Sequence, residues 1–519
     1  MPRASTTRRA GAAILTATAL VTSALLTSTP ASAANDVIDP SSRLYVNPVS
    51  TTAQAAAALS GQARADAQLL AGFPSATWFT KGTPAEVQSG VQTLLDGSSA
   101  AGAVPVLVAY DLPFRDCSQY SAGGAQDTAA YKAWIDGFAA GIGSRDAVVI
   151  LEPDGLGIIP WNTDINGNAE WCQPADADPA TAVADRYAQL NYAVDAFDAL
   201  PNVAVYLDGT HSGWLGVGDI SDRLIKAGVD RADGFFVNAS NYVVTERLVK
   251  YSHWISDCIY LSQNSWWEPA WCASQYYPAT PSDFSTWGLS DAAYHQAFAD
   301  TGLTRNPALQ AHAVIDTSRN GQGPWVPPAG KYSDPEDWCN PPARGLGLPP
   351  TTSTGDATID AYLWIKVPGE SDGLCYRGTG GPLDPERGIV DPAAGAWFPQ
   401  QAAELIALAN PAVARPGCAV DYRVHGSWRG AYVVEVRLKN TGATAINGWS
   451  LTWTSPASEK LRNIWGADET ITGSSVTAAN LKWNKVIKPG KQVIFGFIGK
   501  GDGAEPLLFF LNGKVCTST

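Results

Sequence analysis

The 519-residue chain has no Cys-x-x-Cys pair, no tight His/Cys cluster and only five histidines. Structural zinc sites need such spacing, so no metal or other cofactor is expected. Positive charge is scarce over most of the chain. Residues 34–417 carry 20 Lys and Arg against 42 Asp and Glu, a net of −22. So acidic a body argues against nucleic acid and anionic membranes as partners, and suits a neutral substrate such as a sugar polymer. Beyond the N-terminal region, no apolar run is long enough to cross a bilayer. A long Pro/Thr-rich linker is also missing, so any two domains should sit close together.

The first 33 residues read as a secretion leader. Arg3, Arg8 and Arg9 form a basic start, Ala10–Leu26 is apolar, and Ala31-Ser32-Ala33 fits a cleavage site. The Arg8-Arg9 pair permits a twin-arginine route. Secretion places the chain outside the cell, where its eight cysteines are expected to pair as disulfides. Their spacing alone does not choose the pairing.

What is present begins with Val148-Val149-Ile150-Leu151, an apolar run suited to a strand buried on both faces. It runs into Glu152-Pro153-Asp154-Gly155-Leu156-Gly157. Pro153 stops the strand and the glycines allow a tight exit, which leaves two carboxylates at the C-terminal lip. Five further runs end the same way: Pro105–Tyr110 in Asp111, Val203–Leu207 in Asp208, Gly234–Val237 in Asn238, Ala313–Ile315 in Asp316, and Ala361–Ile365 in Lys366. Helix-like segments such as Ala129–Ile142 and Ala180–Leu200 lie between them. The alternation predicts βαβ units and one parallel sheet, closed as a barrel with its site at the strand ends. A single lip acid is equally a cap for the next turn; the repetition favours a site.

Near residue 412 the pattern changes. Ala419–Val424, Tyr432–Lys439, Ser450–Thr454 and Val493–Ile498 read as short strands separated by turn residues, which predicts a small β-sandwich. Residues 418–519 carry 12 Lys and Arg against 7 Asp and Glu, a net of +5. The expected organisation is a leader over 1–33, a β/α domain over 34–412, a short joint at 413–417 and the sandwich over 418–519. Trp449 and Trp453 lie four apart on one strand, so they share a face and fit the core. Trp428, Trp465 and Trp483 stand at loop-like or edge positions, where flat rings suit stacking on pyranose faces.

The sandwich resembles a family-two carbohydrate-binding module. The resemblance rests on Cys418, Trp428, Asn440-Thr441-Gly442, Gly448-Trp449, Trp465, Trp483-Asn484, Ile487-Lys488-Pro489-Gly490, Leu511-Asn512-Gly513 and Cys516. It implies a cellulose-binding face of Trp428, Trp465 and Trp483 and a Cys418–Cys516 disulfide. Residues 40–412 resemble the glycoside hydrolase family 6 cellulases in four ordered segments. These are Tyr110-Asp111-Leu112-Pro113 with Arg115-Asp116-Cys117; Leu151 to Leu156; Trp338-Cys339-Asn340-Pro341; and Trp364-Ile365-Lys366 with Pro368 to Gly373. That resemblance implies a distorted β/α barrel and inverting hydrolysis of β-1,4-glucosidic bonds in cellulose and cello-oligosaccharides, by a monomer.

The roles it implies are specific. Asp154 is the general acid, Asp116 the neighbouring charge that raises its pKa, and Asp372 the candidate base. Tyr110 crowds the reacting sugar; Lys366 and Glu370 bind its neighbour; Trp78, Trp214 and Trp338 are stacking platforms. Asp208 and His211 form a supporting polar network, with a purely structural histidine an equal reading of His211. Asn238, at its strand lip, is grouped with the substrate-binding residues. Cys117–Cys172 and Cys339–Cys375 pairs are implied, which leaves Cys258 for Cys272. The short segment after Cys117, and Val217 where chain-end cutters place a second tryptophan after Trp214, favour an endoglucanase. The long stretch Leu374 to Ala396 and the Trp/Tyr-rich insert Ser262 to Ser285 favour a cellobiohydrolase.

Overall fold

A computed structural model of the protein describes residues 37–455 and 460–518; the leader expected over residues 1–33 lies outside the described residues. Seven parallel strands follow one another across the first sheet in chain order: β1 (Thr77–Phe79), β2 (Val106–Ala109), β3 (Ala147–Leu151), β4 (Val203–Asp208), β5 (Gly234–Val237), β6 (His312–Asp316) and β7 (Ile359–Leu363). Strands β2 to β5 are buried along their whole length, as their unbroken apolar runs require. Alternate side chains serve two cores. Leu107, Val149, Leu151, Val205, Leu207, Phe235 and Ile315 pack against the surrounding helices. Val108, Ile150, Tyr206, Phe236, Val314 and Leu363 fill the concave side.

The sheet is therefore curled into a distorted barrel. Across the seam the Ala76 amide donates to the Trp364 carbonyl at 2.9 Å and Trp78 Nε1 to the Ile365 carbonyl at 2.8 Å. Six of the seven strands match the apolar runs of the sequence. The seventh, β1, was not anticipated: it is three residues long and only half-buried at the sheet edge, so it carries no periodicity. Strand β7 sits two residues earlier than expected, which frees Trp364 and Ile365 to close the seam.

Nine helices are described: α1 (Thr51–Ala57), α2 (Gly61–Ala71), α3 (Pro84–Ala101), α4 (Thr128–Ile142), α5 (Ala182–Asp198), α6 (Val217–Lys226), α7 (Thr245–Asn264), α8 (Gly288–Thr301) and α9 (Pro399–Ala407). Among the described residues, no helix is long and apolar enough to span a membrane.

Residues from Cys418 onward form an all-β sandwich whose nine-stranded sheet wraps into two layers. Its long strands are Cys418–Trp428, Ala431–Asn440 and Gln492–Lys500, and Lys514–Ser518 links the layers by pairing with both Phe509–Leu511 and Cys418–Trp428. Trp449 and Trp453 are core residues stacked beside Phe495 and Phe497. All eight cysteines are paired: Cys117–Cys172, Cys258–Cys272, Cys339–Cys375 and Cys418–Cys516.

The sandwich is seated on the α1–α2 pair. Ala53 and Ala71 form an apolar cluster with Leu508 and Val515. Gln68 Nε2 donates to Ser518 Oγ at 2.5 Å and the Ser518 amide to Gln68 Oε1 at 2.9 Å.

Candidate active site

The lips of β2, β3, β4 and β7 open into one cleft of about 670 Å3. Ten residues singled out in the sequence line it together: Trp78, Tyr110, Asp116, Asp154, His211, Trp214, Trp338, Lys366, Glu370 and Asp372. They come from six stretches of the chain between residues 78 and 372, gathered by the parallel topology.

Asp154 owes its place to a strained exit from β3. Glu152 and Asp154 take left-handed backbone angles, φ 54° and 63°, on either side of Pro153. Such conformations cost free energy and persist where surroundings hold them. Two buried arginines supply that hold. Arg186 on α5 donates to the Gly155 and Ile158 carbonyls at 2.6 and 2.8 Å, and Arg223 on α6 donates to that of Leu156 at 2.7 Å. Gly157 has to be glycine, because a Cβ there would lie 2.3 Å from the Trp214 ring.

The polar residue at the end of β3, β4, β5 and β6 has a different task from the residues further out. Buried Glu152 accepts the Asp111 and Leu112 amides at 3.0 and 3.1 Å. Buried Asp208 accepts those of Leu156, Gly157 and Thr210 at 3.2, 3.1 and 2.9 Å. Buried Asp316 accepts those of Ser240, Ser318 and Lys366. Asn238 accepts the Val243 amide and donates to the Asp316 carbonyl. Neither Asp208 nor Asn238 lines the cleft, and their polar atoms are engaged with backbone. They knit each loop to the next, the capping role that a lone strand-end acid suggests.

The carboxyls beyond this belt face the cleft. Burial first, then the charges of Asp208, Asp116 and Asp372, push Asp154 well above the ordinary carboxylate range, which favours its protonated form. Burial raises Asp116 to about 6, against the Ser121 amide that bonds it at 2.8 Å and the Arg115 cation. Asp372 is the opposite case. Burial works against its charge, but Arg319 and Lys366 outweigh it and hold the pKa below the usual value. Arg319 lies at 2.9 Å and Lys366 at 3.2 Å, and Asp372 Oδ2 also accepts Tyr242 Oη and the Asn340 amide at 3.1 and 3.0 Å. Burial lowers His211 to about 4, so the ring is neutral, and its Nδ1 accepts the Gly213 amide at 3.2 Å.

Aromatic rings flank these groups. Trp78 meets Tyr110 edge-on at 5.3 Å, and the Arg115 guanidinium lies 4.4 Å from the Tyr110 ring centre. Glu370 accepts Thr51 Oγ1 at 2.5 Å. Tyr120 also lines the cleft; its ring lies 5.9 Å from those of Trp338 and Tyr376, and its hydroxyl donates to Glu336 at 2.8 Å. Sequence reading missed Arg319, Tyr242, Arg186, Arg223 and Trp171. Only Trp171 left a signal, the Trp-Cys pair it shares with Trp338-Cys339.

The described residues contain one close group of metal-type donors, Cys375, Asp384 and Asp391. Cys375 is committed to its disulfide, and Asp384 to a bidentate pair with Arg377 at 2.9 and 3.0 Å, so the group fits no ion.

On the sandwich, Trp428, Trp465 and Trp483 are 51, 48 and 74% exposed. Strand register puts Trp465 beside Gly496, and Trp428 beside Ala431, which is itself paired with Lys500. Gly496 and Lys500 are four apart on one strand, so both rings project from the same face. Asn484 Nδ2 donates to the Gly466 carbonyl at 2.7 Å and so ties the Trp483 loop beside Trp465.

Comparison with known proteins agrees with this division. Residues 40–409 match the family described as glycosyl hydrolases family 6, and residues 418–516 match the cellulose binding domain. The chain is 32% identical over 496 residues to endoglucanase A of Thermobispora bispora, covering 89% of this chain and 90% of that one. It is 30% identical over 400 residues to the probable 1,4-beta-D-glucan cellobiohydrolase C of Neosartorya fischeri, covering 71% and 78%. Among solved structures, an endoglucanase of Mycobacterium tuberculosis in complex with a methyl cellobiosyl-4-deoxy-4-thio-β-D-cellobioside matches with a TM-score of 0.52 at 34% identity, over 72% of this chain and 98% of that one.

Proposed function

Since the chain belongs to glycosyl hydrolase family 6 and ends in a cellulose-binding domain, we propose that it is a secreted, inverting β-1,4-glucanase that cuts cellulose chains internally. The observation that carries the reading is the pairing, in one aromatic-walled cleft, of a protonated Asp154 with an ionised Asp372. Asp154 donates its proton to the leaving glycosidic oxygen. A water attacks the opposite face of the sugar, so the configuration inverts.

The donors around Asp372 bear on who takes the water's proton. A carboxylate held by Arg319, Lys366, Tyr242 and the Asn340 amide is a weak base. In this reading Asp372 stabilises the positive charge that develops at the anomeric carbon. The proton leaves through water towards Asp116, whose pKa of about 6 suits a base. Half-buried Trp78, Trp214 and Trp338 stack on successive rings, and the sandwich face holds the enzyme on the polymer. Four disulfides support secretion, because oxidising conditions outside the cell favour them.

Internal cutting is supported by the short segment after Cys117 and by a buried Val217 where chain-end cutters carry a ring. The contact of Tyr120 with Trp338, Glu336 and Tyr376 favours a second reading, cellobiohydrolase action, because it joins two cleft-side segments. Viscometry and product analysis on amorphous cellulose separate the two. Rapid loss of viscosity with mixed oligosaccharides is expected; cellobiose as nearly the sole early product replaces the first reading with the second. Proton NMR in the first minutes of cellopentaose cleavage should show the α-anomer. The β-anomer would mean a covalent intermediate and would overturn inversion.

A further inference from the structure

Three tryptophans in the chain directly precede a disulfide-bonded cysteine: Trp171-Cys172, Trp271-Cys272 and Trp338-Cys339. In each, the disulfide fixes the backbone beside a ring that stays at least partly exposed. Trp171 and Trp338 line the cleft, and Trp271 does not. It belongs to the insert between α7 and α8, where Trp266, Trp267 and Trp271 meet one another at 5.6 to 5.9 Å.

The cluster has an anchor and a face. Trp267 packs against the hydrophobic core of the helical layer. Trp266 and Trp271 rest on it and remain 60 and 53% exposed, with Tyr277 more exposed still. Large apolar rings left in water by a fixed backbone mark an interaction surface.

Its position identifies the occupant. Gln275 Nε2 donates to the Ser212 and Leu215 carbonyls at 3.0 and 2.9 Å, and Tyr276 Oη to the Trp214 carbonyl at 3.0 Å. A Cβ on Gly218, in the first turn of α6, would meet the Pro269 carbonyl at 2.3 Å, so the insert backbone presses directly on that turn. The insert is thus bolted to the loop that carries the cleft residue Trp214. Trp266 and Trp271 therefore stand on the segment that buttresses the Trp214 side of the cleft.

We propose that Trp266 and Trp271 form an accessory platform outside the cleft, which binds the continuing β-1,4-glucan chain by stacking on its pyranose rings. The proposal rests on the glucanase reading of the cleft. It also gives Trp266 and Trp271 a task that core packing does not require, since of the three clustered tryptophans Trp267 alone packs on the core.

The test uses the full chain with Asp154→Asn, which leaves oligosaccharides uncut, and compares it with the same chain bearing Trp266→Ala and Trp271→Ala. Titration calorimetry with cellotriose and cellohexaose is the readout. Loss of two stacking rings should weaken cellohexaose binding roughly three- to tenfold and leave cellotriose within about twofold. Equal weakening of both ligands, or of neither, overturns the platform. Sedimentation of the parent chain provides the other arm: self-association that the two substitutions abolish would make the rings a contact between copies instead. Trp266→Leu with Trp271→Leu keeps apolar bulk, so it separates loss of stacking from loss of fold. If the parent chain binds neither oligosaccharide, it is the glucanase reading that fails.

Discussion

In the cleft, Trp78, Trp214 and Trp338 are half-buried and share their wall with Asp116, Asp154 and Asp372; on the sandwich, Trp428, Trp465 and Trp483 stand half to three-quarters clear of the surface. Both sets suit the same pyranose faces, yet their surroundings differ. In the cleft, a strained strand exit and buried arginines that reach across from neighbouring helices place Asp154 among the rings. On the sandwich, strand register places Trp428 and Trp465 on a sheet whose opposite side is core, and the Asn484 hydrogen bond ties the Trp483 turn beside Trp465. The comparison teaches that binding a sugar polymer needs only flat apolar rings on a rigid support. Breaking it also needs charges whose pKa values have been pushed apart, and that demands burial.

The largest effect is expected from Asp154→Asn. Cellulose hydrolysis should fall about 10²–10⁴-fold or more, the usual worth of general acid catalysis. Adsorption to crystalline cellulose should stay intact, because the sandwich face is separate from the cleft. Aryl glycosides with good leaving groups should be partly spared. Near-normal turnover of cellulose by the variant would remove Asp154 from the role.

The reciprocal change is Trp465→Ala or Trp483→Ala. Pull-down on crystalline cellulose should show binding weakened roughly three- to tenfold, with soluble cellopentaose cleaved at the parent rate. A collapsed near-UV circular dichroism signal would instead make that ring part of the core.

A smaller effect tests the electrostatics. Asp116 is one of the charges that raise Asp154, so Asp116→Asn should lower the Asp154 pKa. The acid must be protonated to work, and its protonated fraction is lost as pH rises through that pKa. The same change removes the proposed proton acceptor, so kcat/KM should also fall; its alkaline limb should move to lower pH, by about one unit or less for a single partly exposed charge. An unmoved limb would mean that burial alone sets the acid.

Much of this was legible before the fold. Six apolar runs with polar ends announced a parallel sheet with its site at the strand lips, and short strands after residue 412 announced a sandwich. The roles of Asp154 and Trp338 were legible through the resemblance of their segments to the family 6 cellulases. The loop-knitting of Glu152, Asp208 and Asp316 was not legible. At a strand end, a carboxylate that accepts backbone amides and one that faces substrate look identical in sequence.

Six of the seven barrel strands, the two-part organisation and the residue types able to bind and cut a glucan were readable in the chain, because periodicity, turn residues and spacing are local. Only the tertiary structure decided which acid keeps its proton and which is held ionised. Arg319 stands 53 residues from Asp372, and the Arg223 that steadies the Asp154 loop lies 66 to 67 residues beyond the carbonyls it holds. Burial and Coulomb interaction act through space, and only the curled sheet brings those groups within a few ångströms of each other.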